Sequence, residues 1–344
     1  MSAGTTGGGP RFPRRLAFQL QVWLGLALGV AALILVARSI DFRLLGEALR
    51  SVRWPYVVLT LAFSLLSPVV KAQRWRCLFH PHVVTAGAGR LADLVVIGQA
   101  TNFLIPGRWG ELVRTYLAGD ELGLSKWFVL GTLAAEKLID LIVLALLVVA
   151  LLPFVVLPAD LASQVEIVVL AGLAVVVGTV ALLGGRTLWL RLMDWALRLL
   201  PEAMAVRWRT RIVAGLDGLS ALGSRRAALA VWGWTLLFWI VAWATSFWLL
   251  LAFGLAPSPL IALMVLVVLQ GGVAVPSTPG KIGVFQLLCM VALGVFGIAE
   301  PVALAYGLVL HVVVVGGVTV WAALALWRRS WNWRRLAEAS AAWR

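Results

Sequence analysis

Long runs of apolar residues, separated by short clusters of charge, dominate the chain. Six of these runs are candidates for crossing a bilayer, whose hydrocarbon core of ~30 Å takes about 20 helical residues. They cover residues 16–37, 55–70, 127–156, 161–183, 227–253 and 301–327. We therefore predict an all-α integral membrane protein with about six full transmembrane helices.

Two further apolar regions are interrupted by a Pro-Gly pair. The first, residues 91–118, breaks at Pro106-Gly107, and half-helices of about 13 residues would each be only about 20 Å long. The second, residues 257–298, breaks at 276–280. Because such pieces are too short to cross the bilayer, we predict two re-entrant hairpins, for a total of 6–8 spans. A kinked full span is the alternative for the first.

The basic residues predict the orientation of the chain. Arg14 and Arg15 precede the first run, Arg334 and Arg335 follow the last, and the arginine-rich segment 186–226 lies between. The positive-inside rule places all three in the cytoplasm. Each half then holds three full spans and one hairpin. Because each half crosses the membrane an odd number of times, the second half starts on the opposite side from the first. The halves then form an inverted-topology repeat, in which broken helices meet near the midplane.

The same pattern divides the chain into segments. We predict a disordered cytoplasmic N-terminus at 1–15, one transmembrane domain at 16–327 with halves at about 16–157 and 161–327, a cytoplasmic loop at 186–226, and a basic cytoplasmic tail at 328–344.

Composition narrows the function classes. Of 344 residues, 62% are hydrophobic and 13% charged, with a net charge of +14, so arginines that contact anionic lipid are expected rather than nucleic-acid binding. Cys77 and Cys289 form no disulfide framework, and His80 and His82 are expected to be loop histidines rather than metal ligands. Enzyme motifs are absent from the sequence, and no cofactor is expected.

The two breaks share a motif, Pro-Gly-basic-x-Gly, at 106–110 and 279–283. A helix that begins after Pro-Gly presents free backbone N–H groups and a positive dipole end, and Arg108 or Lys281 adds a full charge. Such a site suits a phosphate or carboxylate. Two tight turns that cap membrane helices are the alternative. The predicted substrate-binding residues are Asn102, Gly107, Arg108, Glu111, Arg114, Glu136, Asp140, Gly280, Lys281 and His311.

Other ionisable residues lie inside the apolar runs. Glu136 and Asp140 share a helix face beside Lys137, either lining a substrate path or forming structural pairs. Glu111 and Arg114 can pair with each other, and we expect His311 to be packed and hydrogen-bonded rather than a proton relay.

Two basic segments are expected at the membrane surface. Lys71, Arg74 and Arg76 follow the second span as a cytoplasmic cluster. Segment 186–226 is predicted to form an interfacial amphipathic helix, with Leu188, Leu192, Trp195 and Leu199 on its apolar face. It is either a surface for lipid or partner, or a solvated loop that fixes topology.

The sequence resembles the flippase-like family known from the transmembrane region of lysylphosphatidylglycerol synthase. The first motif that carries the resemblance consists of Asn102, residues 106–111 and Arg114, followed by residues 136–140. The segment 276–284 resembles the family's second motif. The resemblance implies a bacterial or archaeal inner-membrane protein linked to lipid translocation. Some relatives carry a soluble domain that aminoacylates phosphatidylglycerol, an activity not implied here, and others are associated with glycosyltransferases and polyprenyl phosphates.

The chain departs from the family pattern at three positions. Lys281 and Gln286 stand where the second motif usually has glycine and glutamate, and His311 stands where the family often has arginine. At these positions the resemblance therefore does not define whether the second half couples to protons or which lipid headgroup it binds.

We therefore expect a flippase-like transporter of a phosphate-bearing phospholipid or polyprenyl-phosphate headgroup, not an enzyme, whose partners are anionic lipid headgroups and other membrane lipids. Two alternatives remain open. One is a non-transporting accessory of a cell-envelope glycosyltransferase or lipid-modifying enzyme, and the other is a membrane-embedded transferase that uses polyprenyl-phosphate donors. The sequence leaves the oligomeric state open.

Overall fold

The described part of the chain is helical in the computed structural model. The structure describes residues 41–105, 109–155, 170, 172–174, 177–178, 181, 184–272 and 279–329. Several predicted segments therefore lie wholly or mostly outside the described residues: the N-terminus 1–15, the span 16–37, the break residues 106–108 and 276–278, most of the span 161–183, and the tail from 330.

The helices are labelled in chain order. They are α1 (Phe42–Arg50), α2 (Trp54–Leu78), α3 (Ala88–Leu104), α4 (Gly110–Leu122), α5 (Lys126–Leu151), α6 (Arg186–Leu197), α7 (Glu202–Asp217), α8 (Ser220–Gly223), α9 (Arg225–Ala252), α10 (Pro259–Gly272), α11 (Val284–Gly294), α12 (Glu300–His311) and α13 (Gly317–Arg328).

Four helices in the described residues are long and apolar enough to cross a membrane: Trp54–Leu78, Lys126–Phe154, Arg225–Ala252 and Glu300–Arg328. The last consists of α12, a π-helical turn at Val312–Gly316, and α13. They confirm four of the six predicted spans, and the other two fall on 16–37 and 161–183. The second span is longer than predicted, because its helix continues past Val70 to Leu78.

The first hairpin consists of α3 and α4, and the chain reverses between them. A Cβ built on Gly98 of α3 would lie 3.0 Å from the carbonyl oxygen of Gly110 and 3.3 Å from Cβ of Arg114, both on α4. Helices that lie side by side so soon after a break form a hairpin, not one kinked rod. Only glycine allows this approach, since a Cβ on Gly110 would overlap the carbonyl oxygen of Gly98.

The second hairpin consists of α10 and α11. Gly272, at the end of α10, lies against the side chain of Leu288 on α11. Between the helices, a short 3₁₀ turn covers Pro279–Lys281. The described residues thus place a helical break in each half of the chain, as predicted.

The two hairpins open at opposite ends of the bundle. At one end, Arg329, just after α13, pairs with Glu121 of α4 and donates to the carbonyl of Arg90 on α3. At the other, the backbone N–H of Arg53 donates to the carbonyl of Ala252, where α9 ends shortly before α10 begins.

The two hairpin tips lie next to each other. Helix α3 packs against the Pro279–Lys281 turn, and Nζ of Lys281 lies 5.1 Å from the centroid of the Phe103 ring. The breaks of the two halves are therefore neighbours.

The segment 186–226 forms helices at the surface. Three of the residues predicted for its apolar face, Leu192, Trp195 and Leu199, are exposed, as expected of a helix that lies on a bilayer. Helix α7, however, packs against α5, where a Cβ on Gly131 would overlap the carbonyl oxygen of Gly215. Part of this segment is thus docked on the bundle rather than being a solvated loop.

Candidate functional site

Four charged side chains from three helices form a buried ionic network: Arg74 of α2, Arg114 of α4, and Glu136 and Asp140 of α5. Both Nη atoms of Arg74 donate to Asp140, Nη2 to Oδ2 at 3.1 Å, and Nη2 also lies 3.3 Å from Oε1 of Glu136. Nη2 of Arg114 donates to Oε2 of Glu136 at 3.1 Å. Two guanidinium groups therefore share one carboxylate, and the network joins α2, α4 and α5.

Aromatic rings line this network. The guanidinium carbon of Arg114 lies 3.7 Å from the ring centroid of Trp75. Nζ of Lys71, one helical turn before Arg74, lies 4.5 Å from the ring centroid of Phe238. The ring faces add cation–π attraction in a region from which water is largely excluded.

A second group of polar contacts spans the first break. Nδ2 of Asn102, near the end of α3, donates to Oε2 of Glu111 at 3.0 Å, and its Oδ1 accepts from the backbone N–H of Gly110 at 2.7 Å. Nζ of Lys137 lies 3.4 Å from the other oxygen of Glu111. Asn102 thereby satisfies the first N–H of α4, which would otherwise lack a partner at the helix N-terminus.

The exposure of these charges increases from the network outwards. The side chains of Arg74 and Glu136 are 0% and 2% exposed, whereas that of Lys137 is 55% exposed. Lys137 nevertheless lies roughly 16 Å from the first residue of its helix, at a rise of about 1.5 Å per residue, and is thus far from either end of the span. A charged residue at this depth should face a protein interior or a watery cavity.

The buried arginines have unused donors. The Nε atoms of Arg74 and Arg114 have no hydrogen-bond partner among the described residues. A buried donor without a partner is costly, so such groups commonly contact water or a ligand.

The tip of the second hairpin is organised by uncharged groups. Oε1 of Gln286 accepts from the backbone N–H of Gly283 at 2.8 Å. Its Nε2 lies 2.8 Å from Nδ1 of His311 on the last span, and the imidazole lies near the backbone of Gly280. Gln286 is 3% exposed and His311 8%. His311 is thus packed and hydrogen-bonded, as expected.

The predicted residues form two adjacent groups. Asn102, Glu111, Arg114, Glu136 and Asp140 lie together at the first hairpin, and Gly280, Lys281 and His311 lie together at the second. Phe103, the residue after Asn102, is the point of contact between them. Gly107 and Arg108 lie outside the described residues.

Two expectations need correction. Glu111 and Arg114 do not pair with each other: Glu111 binds Asn102 and Lys137, whereas Arg114 binds Glu136. Arg74 is not part of a cytoplasmic cluster, because α2 continues past it and the carboxylates of α5 hold its side chain inside the bundle.

The sequence contained a signal for Arg74 that was missed. Lys71 and Arg74 are three residues apart and share a helix face, whereas Arg76 points away and is exposed. Gln286 was noted as a departure from the family motif, but its bond to Gly283 was not expected.

The long apolar helices, the opposed hairpins and the charges buried between them define a multi-pass helical membrane protein. The chain belongs to the family described as the lysylphosphatidylglycerol synthase TM region, which matches residues 22–327. This match confirms the resemblance inferred from the two motifs.

One curated relative is a protein named "Glycosyltransferase AglD" from Haloferax volcanii. The two are 26% identical in an alignment 342 residues long, which covers 90% of this chain and 54% of the relative. The chain therefore spans about half the length of that protein. No solved structure matches the chain.

Proposed function

We propose that the protein is a flippase-like transporter that moves a lipid with a phosphate-bearing headgroup across the bacterial or archaeal inner membrane. The observation that carries this proposal is the meeting of two hairpin tips that enter from opposite ends of the bundle, with Lys281 over the ring of Phe103. Opposed broken helices that meet inside the membrane are the usual place for a substrate site in transporters built from inverted repeats.

The proposed architecture is an inverted repeat of two halves, each with three full spans and a re-entrant hairpin. Of the described spans, α2 and the last span run from the Arg53 end towards the Arg329 end, and α5 and α9 run back. The arginines around 328–329 and 186–226 favour the cytoplasm for the Arg329 end, and thus for both termini.

The charges of the first site favour an anionic headgroup. Lys71, Arg74, Arg114 and Lys137 are four cations that face three carboxylates, Glu111, Glu136 and Asp140. The Nε–H groups of Arg74 and Arg114 have no hydrogen-bond partner within the described part of the chain. We assign phosphate contact to Lys281, to Arg108, which lies outside the described residues, and to the helix N-termini after each break. Glu111, Arg114, Glu136 and Asp140 would line the path, while the acyl or prenyl tails stay in lipid.

A liposome assay tests transport. The protein is reconstituted into vesicles that contain fluorescent phosphatidylglycerol or a fluorescent polyprenyl phosphate, and loss of fluorescence to an impermeant quencher measures lipid movement. We expect movement faster than in protein-free vesicles. A rate equal to that of empty vesicles for several anionic and polyprenyl lipids would contradict the proposal.

A double variant, Arg108→Ala with Lys281→Ala, tests the site. We expect at least a tenfold slower rate, since about 1.4 kcal/mol of lost phosphate contact corresponds to a factor of 10. Arg50→Ala with Arg76→Ala is the matched control, because it removes the same net charge from exposed positions. If the site variant transports like the control, the assignment is wrong.

The similarity to a relative named as a glycosyltransferase favours a second candidate function. The protein would then be a membrane accessory of an envelope glycosyltransferase or lipid-modifying enzyme, with the surface of α6 and α7 as its contact. Because α7 is docked on α5, a test should change exposed side chains rather than delete the segment. Arg191→Glu with Arg198→Glu should abolish partner recruitment and leave transport intact under this alternative.

A transferase activity of the chain itself is tested separately. Purified protein is incubated with a polyprenyl-phosphate-linked sugar donor and candidate acceptors, and products are identified by mass spectrometry. A glycosylated or otherwise modified lipid that forms only with the wild-type chain would replace the transporter proposal.

A further inference from the structure

The backbone at the tip of the second hairpin is unusual. Lys281 adopts a left-handed conformation with φ of 58°, between Gly280 at 73° and Gly283 at 87°. Glycine adopts this region without strain, but a residue with a Cβ seldom does. A lysine that holds such a conformation must be kept there by its surroundings, and strain of this kind is frequent at functional sites.

A chain of two hydrogen bonds supplies the support. The N–H of Gly283 donates to Oε1 of Gln286, and Nε2 of Gln286 lies 2.8 Å from Nδ1 of His311. The chain therefore holds the backbone at Gly283, two residues after Lys281, and the imidazole also lies near the backbone of Gly280. It also joins the turn to the last span, directly before the π-helical turn at Val312–Gly316.

The directions of these bonds define the state of the imidazole. A backbone N–H can only donate, so the Gln286 atom that faces it must be the oxygen. The amide nitrogen then faces His311, and because it too can only donate, Nδ1 must accept. The proton of the neutral ring therefore lies on Nε2.

Protonation of His311 would break this arrangement. An added proton on Nδ1 would face the amide N–H of Gln286, donor against donor. It would also place a second positive charge near Lys281.

Within the described residues, the contacts recorded around His311 and its neighbours on the last span include no carboxylate that could pair with an imidazolium. Helix α11 brings the Phe285 ring, whose centroid lies 4.9 Å from that of His311, and the Cys289 thiol, which packs against Gly307. Elsewhere on the last span, α1, α2 and α9 contribute Leu45 near Leu304, Leu61 and Leu65 beside Gly317, and the carbonyl of Ser246, which accepts from Tyr306.

We infer that Gln286 and His311 are positioning residues that hold Lys281 at the meeting of the two hairpin tips only while His311 is neutral. Phosphate handling at this tip is therefore switched off by acid. The inference rests on the proposed function for its effect on transport, but the hydrogen-bonded chain itself can be tested without it.

The first experiment observes the ring directly. The full chain contains three histidines, so the His80→Gln, His82→Gln variant leaves His311 as the only one. Nitrogen-15 NMR of this protein in nanodiscs, labelled at histidine, distinguishes the two neutral tautomers from the imidazolium. We expect the Nε2–H tautomer at neutral pH, and faster amide hydrogen exchange across 279–286 once the ring is protonated. An Nδ1–H tautomer, or exchange that does not change with protonation, would overturn the inference.

The second experiment compares transport profiles against pH. If only the neutral form is active, the wild-type rate should fall by about tenfold for each pH unit below the titration of His311. His311→Asn offers a carbonyl oxygen as acceptor and cannot titrate, so whatever transport rate it has should no longer fall in acid. In Gln286→Glu, a carboxylate accepts from both Gly283 and an imidazolium, so its activity should persist in acid.

The outcomes separate the two proposals. If the NMR and exchange results hold but no lipid moves in any variant, the transport proposal fails and the positioning role stands. If lipid moves and His311→Asn keeps the wild-type pH dependence, the positioning role fails and transport stands. Gln286→Leu, which lacks both hydrogen-bonding groups, should be slow at every pH, whereas a wild-type profile in that variant would also contradict the role.

Discussion

The two hairpins meet at one place but are stabilised by different chemistry. The first is joined to the bundle by ion pairs, with Arg114 on Glu136 and Arg74 on both Glu136 and Asp140. The second is joined to it by an amide and an imidazole. Charges buried together tolerate the loss of one partner poorly, whereas neutral hydrogen bonds cost less to remove and respond to pH through one group. The difference suggests a rigid first half and an adjustable second half.

The largest effect is expected from Arg74→Ala. The change removes the guanidinium that pairs with Asp140 and leaves Glu136 with one of its two guanidinium partners, in a region that is almost fully buried. Removal of one partner from a buried ion pair typically costs about 3–5 kcal/mol. The measurement is thermal unfolding in detergent, with Arg76→Ala as control, since that arginine lies on the same helix but is exposed. Equal Tm values for the two variants would remove the proposed rigidity of the first half.

A somewhat smaller effect is expected from Gly110→Ala. The new Cβ would overlap the carbonyl oxygen of Gly98 and lie 2.7 Å from Oδ1 of Asn102, which forces α3 and α4 apart. Overpacking of this kind costs about 1–3 kcal/mol. Gly89→Ala is the matched control on the same hairpin, because no atom lies within 4 Å of its new Cβ. A wild-type Tm for Gly110→Ala would mean that the hairpin is not close-packed at the break.

A still smaller effect is expected in the second half. Gln286→Leu removes the bonds to Gly283 and His311 and leaves a buried N–H and an imidazole without partners, at a cost of about 1–2 kcal/mol. The Tm decrease should be clearly less than that of Arg74→Ala in the same detergent. A larger decrease would reverse the comparison, and would place the more rigid site at the second tip.

Much of this architecture followed from the hydrophobic pattern. Four spans lie where the apolar runs predicted them, and at each Pro-Gly pair one α-helix ends before the pair and the next begins after it, because the length of apolar helix and the absence of a proline N–H are local properties. The grouping of Glu136 with Asp140 also followed from their spacing of four residues on one helix.

The partners of the charged residues could not be predicted in the same way. Arg74 and Asp140 are 66 residues apart, and Gln286 and His311 are 25 apart, so their contacts depend on how the helices pack. A basic residue near the end of an apolar run has the same local pattern whether it faces headgroups or a carboxylate on another helix. The direction of the Gln286 amide likewise depends on a single backbone N–H at Gly283.

The smallest effect on stability, and the sharpest test of function, is expected from Lys137→Gln. The Lys137 side chain is 55% exposed and its nitrogen is 3.4 Å from Glu111, so solvent screens the pair and its loss should change stability by no more than ~0.5 kcal/mol. Transport should nevertheless fall, because Glu111 at the path would lose its counter-charge and repel an anionic headgroup. Lys126→Gln is the control: it also lies on α5 and pairs with Asp120 at 3.2 Å, but it stands at the first residue of the helix. If both variants keep the wild-type Tm and only Lys137→Gln slows lipid movement, the ion pairs of the first half serve two purposes, with the buried ones holding the helices and the exposed one facing the lipid. Equal transport rates in the two variants would mean that the ion pairs of the first half are purely structural. Lys281 would then be the residue to test for contact with the headgroup.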